Sequence, residues 1–250
     1  MTKIILSGCA GKMGKMITEC VQKKDNLSIV AGIDLNCQQN LNYPVFKNIE
    51  DCDISADVII DFSRPSSLDS IMRYSKNHKT PVVICTTGYS EEQRNAIDEL
   101  SNHVGVFHSA NMSIGINLVN SLLKQISSKL FGDYDIEIIE KHHNQKVDSP
   151  SGTALLLANT IKNSIEDKTE FIYGREGHHK RDQKEIGIHA IRGGNIIGDH
   201  SVIFAGEGEC IEITHKAISR EVFAIGALKA AEFMKDKKPG KYDMDNIVNS

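Results

Sequence analysis

Two adjacent histidines, two lysines, two carboxylates and a Pro-Ser-Gly-Thr turn are packed into one stretch: Glu140-Lys141-His142-His143-Asn144-Gln145-Lys146-Val147-Asp148-Ser149-Pro150-Ser151-Gly152-Thr153-Ala154. Packing alone does not call for so many protic groups. A histidine can give or take a proton near neutral pH. Lys146 adds a compact positive charge. Pro150-Ser151-Gly152-Thr153 precedes the apolar run Ala154-Leu155-Leu156-Leu157-Ala158, the composition of a helix start. The first-turn N–H groups of a helix make a ready site for a carboxylate. Without a ligand the same turn would be a plain N-cap at Ser151. The chemistry that suits this segment is proton donation beside a bound anion.

A second cluster suits a different anion. Gly8-Cys9-Ala10-Gly11-Lys12-Met13-Gly14 reads G-x-x-G-x-x-G. It departs from G-x-G-x-x-G in having Ala10, the smallest substitute, at the second glycine. A tight turn here brings backbone close to a pyrophosphate, which the helix N-terminus then binds. Asp34 ends the next apolar run, twenty positions after Gly14, where a carboxylate accepts hydrogen bonds from ribose hydroxyls. The same charge repels a 2′-phosphate, and Leu35 rather than arginine follows. NADH is therefore favoured over NADPH, although Lys12 can still reach a phosphate. Asp61-Phe62-Ser63-Arg64-Pro65 and Cys85-Thr86-Thr87-Gly88 fall at the carboxyl ends of two further apolar runs, the edge where ligands of open α/β sheets lie. Taken singly, each is an ordinary strand-to-helix turn with Ser63 or Ser90 as a cap.

The elements that position these residues follow from periodicity. Apolar runs at 3–7, 28–33, 57–62, 81–87 and 104–108 predict strands, alternating with helical spacing at 12–23, 66–77 and 90–101. Near-continuously apolar strands alternating with helices mean a parallel sheet covered on both faces. Residues 113–130 predict a long helix, 133–140 a partly alternating strand and 151–165 another helix. The runs 185–191, 200–206 and 209–217, with glycine turns between them, predict an antiparallel sheet. Residues 219–235 return to a helix that could pack on either part. The expected fold class is α/β: a Rossmann-type doubly wound parallel sheet, with a second α+β domain built on a mainly antiparallel open sheet. Residues 1–110 form the expected dinucleotide-binding domain, completed by 218–250. Residues 111–217 form the expected substrate-binding and oligomerisation domain.

Composition narrows the partners. A net charge of -4 gives no global basic field for nucleic acid, so an anionic substrate needs a local cationic site. No stretch approaches the length of a membrane span, and the opening Ile4-Ile5-Leu6 is too short for a signal peptide. The expected location is the cytoplasm. Cys9, Cys20, Cys37, Cys52, Cys85 and Cys210 are irregularly spaced, with no C-x-x-C pair. They read as reduced thiols rather than a disulfide framework or a zinc cluster. No metal is expected.

His142 to Ala154 reads H-H-x-x-K-x-D-x-P-S-G-T-A, which resembles the signature of the dihydrodipicolinate reductases. The glycine loop, D-F-S-R-P and T-T-G fall in that family's order. So do Ala110-Asn111-Met112-Ser113-Ile114-Gly115-Ile116-Asn117, Arg192-Gly193-Gly194 before Gly198 and His200, and His215-Lys216-Ala217 with Arg220. The resemblance spans nearly the whole chain. It implies reduction of 4-hydroxy-tetrahydrodipicolinate to tetrahydrodipicolinate with NADH or NADPH and loss of water, in lysine and diaminopimelate biosynthesis. It implies that His142 is the acid/base histidine, Lys146 the proton-donor lysine, and His143 a substrate-binding residue. Gly152 and Thr153 match the backbone that holds a carboxylate of a cyclic dicarboxylate. Gly8, Cys9, Ala10, Gly11, Lys12, Met13, Asp34, Cys85, Thr86, Thr87, Ala110, Asn111, Met112 and Ser113 match cofactor contacts. A homotetramer is implied as well. Two positions depart from the family pattern: Cys85 stands where glycine is expected, and Asn144 where a basic residue is common.

Hydride added to a conjugated C=C–C=N system leaves negative charge at its far end, which a proton donor or cation stabilises. His142 and Lys146 are not ranked against each other by sequence. Three other readings are weaker. A zinc site lacks an H-x-x-x-H pair, and adjacent histidines on a strand point apart. A dehydrogenase for an amino-acid semialdehyde or aspartate would share the glycine loop and Asp34 but not the 142–154 segment. A non-catalytic NAD sensor would not need the proton-donor cluster.

Overall fold

The structure is a computed structural model that describes residues 1–36 and 41–249; Cys37 lies outside the described residues. In chain order the elements are β1 (Thr2–Ser7), α1 (Lys12–Val21), β2 (Leu27–Ile33), β3 (Val45–Phe46), β4 (Val58–Asp61), α2 (Leu68–His78), β5 (Val82–Ile84), α3 (Glu91–Leu100) and β6 (Gly105–His108). Then come α4 (Ile114–Leu130), β7 (Tyr134–His142), α5 (Gly152–Asn163), β8 (Glu170–Tyr173), β9 (Glu185–Arg192), β10 (Gly198–Gly206) and β11 (Cys210–Ala217). The chain closes with α6 (Glu221–Met234), β12 (Gly240–Tyr242) and α7 (Asp245–Val248). It forms two compact units, Met1–Ile114 with Arg220–Ser250, and Gly115–Ser219.

The first unit is a seven-stranded sheet in the order β12-β6-β5-β4-β1-β2-β3, and every pairing in it is parallel. Both faces are covered, as a parallel sheet requires. Ile4, Leu6, Val58, Ile60, Val83 and Phe107 point to one face, against α1 and the alanine-rich side of α6. Ile5, Ile59, Val82, Ile84 and Val106 point to the other, against α2 and α3. The closing helix α6 thus belongs to this unit, and small side chains let it approach closely. At Gly226 a Cβ would overlap the Met112 carbonyl. The strand order reverses at β1, so the loops after β1 and β4 flank the point where ligands of such sheets bind.

The second unit is a five-stranded sheet in the order β11-β10-β7-β9-β8. Of the expected antiparallel pairs, β10–β11 is present, whereas β9 and β10 are not paired although a Gly193-Gly194 turn joins them: β7 lies between them and is the antiparallel partner of β10. Two parallel pairs, β7–β9 and β8–β9, make the sheet mixed. The physical reason is the connection: α5 carries the chain from the end of β7 back to the opposite edge, and a crossover of this kind yields parallel strands. One face is apolar (Ile136, Ile138, Ile186, Ile188, Val202 and Phe204) and packs on Leu123 of α4 and Leu157 and Ile161 of α5. The register places Glu140 and His142 of β7, Arg192 of β9 and His200 of β10 on this same covered side, at one end of the sheet.

Candidate active site

In the first unit the loop between β1 and α1 is shaped by two glycines. Gly8 has φ +79, and a Cβ there would overlap the Phe62 carbonyl. At Gly14 a Cβ would overlap the Gly8 and Cys9 carbonyls, so only glycine lets α1 begin directly beneath the loop. Gly11 caps α1 with no side-chain hydrogen bond, which leaves the positive end of the helix open to an anion. The Asp34 carboxylate accepts the Ala10 N–H at 3.0 Å and the Asn36 N–H at 3.1 Å, so the acid after β2 is tied to the glycine loop. An uncapped helix start beside a fixed carboxylate fits a pyrophosphate and an adjoining ribose. Lys12 is exposed and Met13 half-buried. Cys9 is buried in the core, and its side chain is one of the atoms that a Cβ at Gly32 would meet. Any contact made by Cys9 to a bound group is therefore a backbone contact.

A buried carboxylate joins the next two loops. Asp61, at the end of β4, accepts from the Ser63 N–H at 3.1 Å, the Ser63 hydroxyl, the Thr86 hydroxyl at 2.7 Å and the Tyr89 hydroxyl at 3.3 Å. Burial, then the Asp61 charge, pushes the Cys85 thiol well above its usual range and raises the Tyr89 hydroxyl as well. Cys85 packs against the core on the α6 side, so this departure from the family pattern is accommodated. Thr86 is buried with its hydroxyl committed to Asp61, whereas Thr87 is exposed. After β6, Ala110 is exposed and Asn111 half-buried, with its side-chain carbonyl taking the Ser113 N–H at 2.8 Å. Ser113 is buried, and the Met112 side chain lies in the core.

In the second unit the end of β7 holds the denser cluster. Glu140 is 0% exposed and His142 only 8%. His142 Nδ1 lies 2.6 Å from Glu140 Oε2. Arg192 donates from Nη1 and Nη2 to the two carboxylate oxygens of Glu140, each at 2.7 Å, and the Ser151 N–H donates to Oε1 at 2.9 Å. Burial alone would push the Glu140 carboxyl up. Arg192, His142 and the Ser151 N–H outweigh it and hold the carboxyl below its usual range. The Ser151 hydroxyl caps α5 by accepting the Ala154 N–H at 3.1 Å, and it bonds His200 Nε2 at 3.0 Å. The His200 ring packs edge-on against that of His142, with centroids 5.2 Å apart. Burial, then the neighbouring His142, pushes the His200 imidazole down to about 4.

The turn from His142 to α5 is held by main-chain bonds from Gly193 N–H to the His142 carbonyl at 2.9 Å and from Lys146 N–H to the His143 carbonyl at 3.2 Å. Lys146 Nζ pairs with Asp148 at 2.8 Å. His143 is half-buried, Val147 between the ion pair is 98% exposed, and Gly152 and Thr153 form the start of α5 at exposed and half-buried positions. The structure thus brings His142, Glu140, Arg192, Ser151 and His200 together, and sets Lys146, Gly152 and Thr153 on the turn that follows. His189 lies on the other face of the sheet, bonded to Glu137 at 2.7 Å, and His178 and His179 are exposed. Among the described residues no group of three or more His, Cys, Asp or Glu side chains is placed to hold a metal ion. Sequence reading did not single out Glu140, Arg192 or His200 as site residues. The Glu140–His142 pair has the i, i+2 spacing of one strand face, a usable signal. Arg192 and His200 become neighbours only through the pairing of β7 with β9 and β10.

Comparison with known proteins agrees with this geometry. Residues 2–112 match the family model described as dihydrodipicolinate reductase, N-terminus, and residues 115–248 match dihydrodipicolinate reductase, C-terminus. The chain is 64% identical to the 4-hydroxy-tetrahydrodipicolinate reductase of Clostridium novyi, over 100% of this chain and 99% of that protein. It is 63% identical to that of Clostridium tetani, over 100% and 98%. Among solved structures it is similar to the dipicolinate-bound dihydrodipicolinate reductase from Paenisporosarcina sp. TG-14, with a TM-score of 0.83 and 26% identity over 99% of both chains.

Proposed function

The chain belongs to the dihydrodipicolinate reductase family, and from that premise we propose the reaction and the residues that carry it. The protein is an NAD(P)H-dependent oxidoreductase of lysine and diaminopimelate biosynthesis. It reduces 4-hydroxy-tetrahydrodipicolinate to tetrahydrodipicolinate with loss of water. When bound, the reduced nicotinamide cofactor supplies the hydride. The first unit holds the cofactor. The loop Gly8, Cys9, Ala10, Gly11, Lys12 and Met13 takes the pyrophosphate through backbone N–H groups, and Asp34 takes the adenosine ribose. Cys85, Thr86 and Thr87, with Ala110, Asn111, Met112 and Ser113, border the nicotinamide half. NADH is the preferred form, because the Asp34 carboxylate and the exposed Leu35 beside it offer a 2′-phosphate no cation.

The second unit holds the substrate. The N-terminus of α5 at Gly152 and Thr153 receives one substrate carboxylate, and His143 adds a further polar contact. His142 and Lys146 supply the proton and positive charge that the reduced ring demands. The observation that carries this reading is the fold of residues 142–153. A strand end, a tight turn and a helix start set two protic side chains and an anion-binding helix terminus within one short segment. A dipicolinate-bound relative at 26% identity supports a cyclic dicarboxylate as the ligand class.

The fold also supports a homotetramer. Ile139, Ile191 and Ile203 are partly exposed on the face of the second sheet opposite α4 and α5, and a second copy would cover them. No helix among the described residues is long and apolar enough to cross a membrane, and we place the protein in the cytoplasm.

The reaction is tested by following NADH and NADPH oxidation by absorbance, with substrate generated in situ by dihydrodipicolinate synthase from pyruvate and aspartate semialdehyde. Substrate-dependent oxidation, faster with NADH, is expected. Folded protein that oxidises neither cofactor would return the sensor reading.

A further inference from the structure

We propose that Glu140 is a positioning residue: clamped by Arg192 and the Ser151 N–H, it fixes His142 as the Nδ1–H tautomer, so that Nε2 is the atom that exchanges the proton with substrate. The proposal rests on the reading of His142 as a proton carrier and adds how the protein selects its reactive nitrogen.

The first observation is strand geometry. Glu140 and His142 sit two residues apart on the covered face of β7, and that face is otherwise apolar. A fully buried carboxylate in such a place is costly unless every oxygen is satisfied. Glu140 has three fixed donors on its two oxygens, two from Arg192 and one from Ser151, and His142 Nδ1 makes the fourth contact, to Oε2. With Arg192 forked across both oxygens, the carboxylate has little freedom to rotate. Of these three partners, His142 is the one whose contacting group can change its protonation state.

A carboxylate 2.6 Å from Nδ1 requires a hydrogen on that nitrogen. A neutral imidazole carries one N–H, so the lone pair is then on Nε2. On protonation Nε2 gains the hydrogen and becomes the donor. The exchanging proton thus always enters and leaves at Nε2, and Nδ1 keeps its bond throughout.

The second observation is the space at that nitrogen. A Cβ at Gly198 would come within 3.1 Å of His142 Nε2. Glycine here keeps the approach to Nε2 open, and any larger residue would crowd it. The neighbouring His200 completes the arrangement. Its Nε2 is bound to the Ser151 hydroxyl, and its Nδ1 has no hydrogen-bond partner among the described residues. It borders His142 by ring contact and does not compete with Glu140 for Nδ1.

Two experiments test this. The first is nitrogen NMR of the whole protein labelled with 15N-histidine, with the His142 signal assigned by its loss in His142→Gln. The Nδ1–H tautomer is expected across the pH range in which the ring is neutral, and the Nε2–H tautomer there would overturn the proposal without any need for a Glu140 variant to fold. The second is a double-mutant cycle on kcat with Glu140→Gln, His142→Gln and the pair. Glu140→Gln should lower kcat about tenfold, with the KM for NADH changed less than about twofold. The pair should be no slower than His142→Gln alone, since a residue that acts only through His142 has nothing left to position. Additive losses would show that Glu140 acts independently of His142 and would overturn the clamp alone. Unchanged turnover in His142→Gln would overturn the proton-carrier reading, and the clamp with it.

Discussion

His142 and Lys146 occupy different settings, and that difference predicts different behaviour. His142 is nearly buried and bonded to a fixed carboxylate, whereas Lys146 sits on the turn paired with the half-exposed Asp148. Replacing either by alanine should lower kcat by about 10²-fold or more while leaving NADH affinity nearly unchanged. Steady-state kinetics with a separate fluorescence titration of NADH checks this, and wild-type turnover in both variants would refute their roles. His200 makes a separate prediction about acid. Its imidazole is held neutral down to about pH 4 in the folded chain, whereas an unfolded histidine charges near pH 6.5. Below pH 6.5 the unfolded state therefore binds the proton first, and folding stability falls until the folded group charges too. Between pH 7 and 4.5 this one group should account for about 2–3 kcal/mol of lost stability. In His200→Gln the loss between those two pH values, read from urea unfolding, should be smaller by that amount.

Among the elements, α6 and the strands beneath it are the most constrained. Gly226→Ala would press a methyl group into the Met112 carbonyl, so α6 must shift. A cost of about 1–3 kcal/mol is expected for overpacking of this kind, read from the urea midpoint. The long elements were legible in the sequence because their patterns are strong. Ile4-Ile5-Leu6, Val58-Ile59-Ile60 and Val82-Val83-Ile84 are buried on both faces and read as continuous apolar runs. The edge strands β3, β8 and β12 were not legible. They have two to four residues, mostly half-exposed, and only pairing with a neighbour makes them strands. The same limit applied at the site. His142, Lys146 and the α5 cap lie on one local segment and could be read directly. Arg192 enters through the register that sets it opposite His142 across β7 and β9, a relation that local patterning does not contain. Cys9 and Met112 show the converse: they match the family's cofactor positions, but their side chains serve the core.

For the molecule as a whole, cofactor and substrate groups are assigned to separate units, which can be tested by hydrogen exchange. NADH should slow exchange around residues 8–15 and 34–36, and a dipicolinate-type ligand should slow it around residues 142–156. Protection by each ligand confined to the other's segments would contradict the division of labour. The path of the chain has a consequence for synthesis as well. The second unit, Gly115–Ser219, is one continuous segment, whereas the first is interrupted by it and completed by Arg220–Ser250. On the ribosome, the part of the β1, β4, β5 and β6 face that α1 does not cover must wait for α6, which emerges only after the inserted unit, while that unit can already close on its own core. A message cut short before residue 220 would leave the α6-covered part of that face exposed, and the truncated product should be recovered in inclusion bodies rather than as a smaller folded protein.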